Sequence, residues 1–135
     1  MKILITENKI DSLIKKQGIS KTIKMFGGFE NYCKLLKING PMEFLKSLPV
    51  MDVVESEERP FLTLFRYKKG DNIMVYDRTT KIIFISPDIW GILENDFGLI
   101  YSVIPKIFKK WLDEVYNLRG VTCHLNYLLK FINVE

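Results

Sequence analysis

The sequence contains no alanine, and against that absence stand 17 isoleucines, 16 lysines and 8 asparagines, with only 4 arginines. Isoleucine, lysine and asparagine have AT-rich codons and alanine has GC-rich ones, so the composition is that of an AT-rich gene. Part of the net charge of +4 therefore reflects codon supply rather than a polyanionic partner. Cysteine is scarce as well. Cys33 and Cys123 are too few and too far apart for a disulfide-stapled secreted scaffold. They read instead as reduced, buried thiols of a cytoplasmic protein. His124 is the only histidine, so a zinc site of the His/Cys kind lacks ligands. No apolar run approaches the roughly 20 residues that span a bilayer. The opening Met1-Lys2-Ile3-Leu4-Ile5 is interrupted by Thr6 and Glu7 before it could serve as a signal peptide. No membrane association is expected.

What is present is enough to build a core. The 135 residues are 47% hydrophobic and 27% charged, as in ordinary globular domains. The charge is uneven: residues 1–50 balance to +5, residues 51–60 to −3, and the remainder to +2. The N-terminal third is thus the basic part.

Residues 2–6 read as a short strand, and Thr6 as the cap of a helix over 7–17, with Ile10, Leu13 and Ile14 on one face. Gly18 ends it, and Ser20 caps a helix over 21–26. After the Gly27-Gly28 break a third helix covers 29–38. Asn39-Gly40-Pro41 stops that helix and restarts the chain into a fourth over 42–48. The character then changes. Residues 50–54 are a strand candidate, and Glu55, Glu57 and Glu58 mark an exposed acidic connection. Runs 61–67, 72–77 and 81–86, rich in aromatic and β-branched residues, predict a three-stranded antiparallel meander. Phe65 and Tyr67 fall on one face of it, Leu62 and Leu64 on the other, so both faces are apolar and both need a cover.

Ser86-Pro87-Asp88 opens a helix carrying Ile89, Trp90, Leu93 and Phe97, with Asp88 in a capping role. Gly98 closes it. A second helix over 102–118 carries the stripe Ile104, Phe108, Trp111, Leu112 and Val115. Residues 122–134 read as a final helix in preference to a strand. The fold class expected is α+β in one domain, 1–135. Residues 1–49 form its basic helical part, and residues 50–135 a sheet with C-terminal helices.

No convergent catalytic set emerges, and no cofactor is expected. Cys123 and His124 are adjacent, which sets them on opposite faces of a strand or about 100° apart on a helix, not in a nucleophile–base pair. Gly27-Gly28 lacks the spacing of a phosphate-cradling loop. One segment has a groove-binding pattern. Residues 18–37 place a glycine turn between two short helices, as in a helix-turn-helix. Ile23, Phe26, Cys33 and Leu36 would then face inward. Asn31, Lys34 and Lys37 would meet a groove, and Lys21 and Lys24 the phosphates. Ile23 and Gly28 depart from the pattern, which has a small residue and a branched apolar one at those places.

The opening Lys2-Ile3-Leu4-Ile5-Thr6-Glu7-Asn8 resembles small uncharacterised proteins of tailed bacteriophages with AT-rich genomes. The break Lys24-Met25-Phe26-Gly27-Gly28 and the stretches Phe97-Gly98-Leu99-Ile100-Tyr101 and Tyr116-Asn117-Leu118-Arg119-Gly120-Val121 resemble them too. The resemblance carries no catalytic residues. It implies a viral setting, in the host cytoplasm or the virion. The function expected is non-enzymatic protein–protein contact or self-association in a phage structural, assembly or accessory component. The alternative is a small DNA-binding factor acting through Lys21, Lys24, Asn31, Lys34 and Lys37.

Overall fold

Apolar residues recurring every three or four positions coil the first third of the chain. The aromatic and β-branched runs that follow extend it. The structure is a computed structural model and describes residues 7–126. Four short helices come first: α1 (Glu7–Gln17), α2 (Ile19–Met25), α3 (Phe29–Leu36) and α4 (Pro41–Ser47). The strands β1 (Asp52–Glu55), β2 (Leu62–Lys68), β3 (Asp71–Asp77) and β4 (Ile82–Ile85) follow as a meander. After β4 the chain makes α5 (Pro87–Gly91), runs on into a π-helical turn (Ile92–Asp96), and then forms α6 (Ile104–Tyr116). It returns as β5 (Thr122–Leu125).

The strands lie in the order β1-β2-β3-β4-β5, antiparallel except for the parallel pair β4 and β5. Parallel neighbours need a long crossover, and the α5–π-turn–α6 segment supplies it. Its helices and the N-terminal ones share one core with the sheet. Phe65, Met74, Ile83, Ile85 and Cys123 from the strands meet Ile14, Phe44, Trp90, Phe108 and Trp111 from the helices. Fully burying each such large side chain contributes roughly 1.5–3 kcal/mol. The rings pack in a chain across this core. Trp90 stacks on Phe108 at 5.5 Å, Trp111 meets Tyr116 edge-on at 5.5 Å, and Tyr116 meets Phe65 at 5.2 Å.

A second, smaller apolar cluster lies on the opposite face: Leu62, Leu64 and Val75 are buried, with Val54 and Phe84 against them. No described helix contributes to it. Both faces of the meander are therefore apolar, as the alternation predicts.

The α+β class stands, but several details need correcting. The sheet has five strands, not three, because the 50–54 candidate joins as β1 and the tail adds β5. The expectation of a helix from 122 onward fails at 122–125, where backbone pairing with β4 outweighs the helical spacing of the leucines. Residues 127–134 lie outside the described residues, as do the strand candidate 2–6 and the cap Thr6. Ser20 does not open α2; Gly18 does, with φ at 93°, and Ser20 sits inside the first turn. Ser86 precedes α5 but makes no side-chain cap, and Asp88 is an exposed first-turn acid rather than part of a capping box. The helix expected from Ser102 starts at Ile104, with Pro105 in its first turn.

Candidate functional site

The segment singled out by sequence folds as two short helices around a tight turn. Gly27 and Gly28 take φ of 90° and 107°, a region costly for any residue with a Cβ. The turn closes with Gly27 N–H donating to the Lys24 carbonyl and Gly28 N–H to that of Ile23, both at 3.1 Å. Below it, Thr22 is buried at the α1–α2 junction. Its hydroxyl donates to the Gly18 carbonyl at 2.8 Å and accepts from Gln17 Nε2 at 3.2 Å.

Of the inward set, Ile23 is buried, whereas Phe26, Cys33 and Leu36 are only partly so. Tyr32 is the most deeply buried residue of α3, with its ring near those of Phe26 and Phe44. Burial pushes its hydroxyl up to about 12. The five candidate contact residues are all exposed. Asn31 is turned back: its amide donates to the Phe26 carbonyl at 2.5 Å and braces the turn. Lys34 lies on the outer side of α3. Lys37, at φ 57°, ends that helix in the left-handed conformation. The outer side also carries Leu35, 53% exposed.

Lys21 and Lys24 lie on α2. With Ser20 they form one wall of an open cleft of about 310 Å³. Ile23, Gly28 and Phe29 continue the lining, and Ile92 and Asp96 of the π-helical turn close the far side. Among the described residues neither lysine forms an ion pair, and Asp96 forms none. The carboxylate of Asp96 acts toward α3. The Cys33 thiol is pushed up first by burial and then by the negative charge of Asp96. The π-helical turn is defined by Phe97 N–H donating to the Ile92 carbonyl at 3.0 Å, five residues back. Such turns are rare and recur at functional positions. Sequence reasoning missed both Asp96 and this turn, since nothing local marks a π-turn and the fold alone brings Asp96 to α2.

Cys123 and His124 lie on opposite faces of β5. Alternation along β5 puts Cys123 in the core, where burial pushes its thiol up to about 11. His124 is on the other face, exposed, with its ring 6.5 Å from that of Phe84. Glu55 of the acidic connection pairs with Arg78 at 3.3 Å. Among the described residues no helix is long and apolar enough to cross a membrane.

No protein-family model, curated protein or solved structure matches this chain.

Proposed function

We propose that the chain is a non-enzymatic protein-binding domain, a structural, assembly or accessory component of a tailed bacteriophage. The phage setting rests on the sequence resemblance. The binding role rests on one observation, the state of β1. This strand is at the end of the sheet order and pairs with β2 alone among the described residues. Val50 just before it is 65% exposed and Val53 within it 49%. An outer strand offers free backbone groups to an added strand, and exposed valines add apolar contact. Two copies paired about the centre of β1 would set Asp52 opposite Glu55, acid against acid. A basic extended segment of another protein suits this edge better. Photo-crosslinking from a benzoylphenylalanine at position 53 in producing cells tests the idea. One dominant protein adduct is expected, lost when Val50→Lys is added. Adducts no stronger than from position 110, on α6, combined with a strictly monomeric chain in light scattering, would refute it.

A second reading, DNA binding through α2 and α3, is supported by Lys21, Lys24, Lys34 and Lys37, all exposed and none in an ion pair among the described residues. Its expected outcome is a gel shift that fades steeply with salt, by a factor of about ten or more between 50 and 200 mM. No shift at low salt removes this reading.

A further inference from the structure

We propose that the cleft between α2 and the π-helical turn binds a small amphoteric molecule of the amino-acid kind, with one carboxylate, one ammonium group and a large apolar side chain. The walls carry opposite charges. Lys21 and Lys24, three residues apart on one helix, stand on one side, and Asp96 on the other. The two signs share one cavity without closing an ion pair across it, so each is left able to make a charge-assisted hydrogen bond to a ligand. Between them the lining is apolar. Ile23 and Ile92 are buried, and the Phe29 ring is held edge-on by Phe97 at 4.9 Å and Phe44 at 5.9 Å. An apolar floor with a few placed polar groups is the usual make-up of a small-molecule site.

Size and charge narrow the occupant. A volume of about 310 Å³ is at the lower end for small-molecule clefts, enough for one amino acid and little more. Inorganic phosphate, or a phosphate of a nucleic-acid backbone, would meet the lysines favourably but bring like charge against Asp96. A neutral apolar molecule would draw nothing from the three charges. An amphoteric molecule satisfies both walls at once, its carboxylate toward the lysines and its ammonium toward Asp96.

The experiment is titration calorimetry of the full chain with L-phenylalanine, with amide-shift mapping by NMR. N-acetyl-L-phenylalanine, L-phenylalaninamide and inorganic phosphate serve as comparison probes. Phenylalanine is expected to bind and to shift amides of residues 20–29 and 92–96. Each blocked analogue should bind roughly fivefold more weakly, the loss of one solvent-accessible charge pair. Asp96→Asn should abolish the preference for phenylalanine over its N-acetyl form. The double variant Lys21→Met, Lys24→Met should abolish the preference over the amide. All three side chains are exposed, so the variants keep the fold and each comparison is readable. No shift in the cleft at tens of millimolar phenylalanine, blocked analogues binding equally well, or phosphate binding more tightly would each overturn the proposal. None of these results bears on the contact made by β1.

Discussion

Tyr32, Tyr67 and Tyr116 turn their rings into the same interior and differ in what their hydroxyls meet. The Tyr67 hydroxyl donates to the Pro49 carbonyl at 3.1 Å. That of Tyr116 accepts from the Met51 backbone N–H at 3.0 Å. The hydroxyl of Tyr32 is buried with no hydrogen-bond partner among the described residues. A hydrogen bond adds about 1 kcal/mol net, but a buried donor left without its acceptor costs about 1–3 kcal/mol. Tyr116→Phe should therefore lower the unfolding free energy in urea by about 1–2 kcal/mol, because Met51 N–H loses its acceptor. Tyr32→Phe should leave it unchanged or raise it by up to about 1 kcal/mol, since only an unanswered polar atom is removed. The reverse ranking would contradict this account of the interior.

At the scale of elements, what matters is how each one stops. α3 ends at Lys37, φ 57°, and α6 at Asn117, φ 53°. Asparagine tolerates this conformation; lysine pays for its Cβ there. Lys37→Gly should raise stability by about 0.5–1 kcal/mol, read as a higher urea midpoint with unchanged slope; a lower midpoint would show that the Lys37 side chain matters more than its backbone. These stops also explain what could be read in advance. Glycine and proline announced the ends of α1 and α2 and the start of α4, because their backbone chemistry is local. Lysine announces nothing, so the sequence pattern carries α3 two residues too far. The stripe of α6 was legible from spacing alone, and its members Ile104, Phe108, Trp111 and Leu112 are buried. The strand nature of residues 122–125 was not, because it comes from pairing with β4, distant in sequence. The cleft was half legible for the same reason. Its lysines lie in a segment already marked by a glycine turn, while Asp96 reaches the cleft only through the tertiary fold.

For the molecule as a whole, burial makes the thiols of Cys33 and Cys123 and the hydroxyls of Tyr32, Tyr67 and Tyr116 hold their protons more tightly than the unfolded chain does. Burial raises the Cys123 thiol from 9.0 to about 11 and the Tyr32 hydroxyl from 10.0 to about 12. The folded state thus binds more protons than the unfolded one above about pH 9, and stability must fall as pH rises there. Below about pH 9 the contribution of these groups is fully present. The urea midpoint should begin to decline near pH 9, where the thiols titrate in the unfolded chain, and fall faster above 10, where the tyrosines do. Cys123→Val should lessen the first part of that decline, leaving the share of Cys33, and should leave the second. A midpoint in Cys123→Val that declines as in the parent between pH 9 and 10 would exclude the Cys123 thiol as a source of it. The parallel pairing of β4 with β5 has a further consequence, in the order of synthesis. As the chain emerges from the ribosome, β1 to β4 can pair hairpin by hairpin once Ile85 is out. The free edge of β4 then waits for the whole crossover and for Thr122 to Leu125 to follow. Through that interval the nascent sheet is open on both edges among the described residues, and this is when a chaperone would have most to hold.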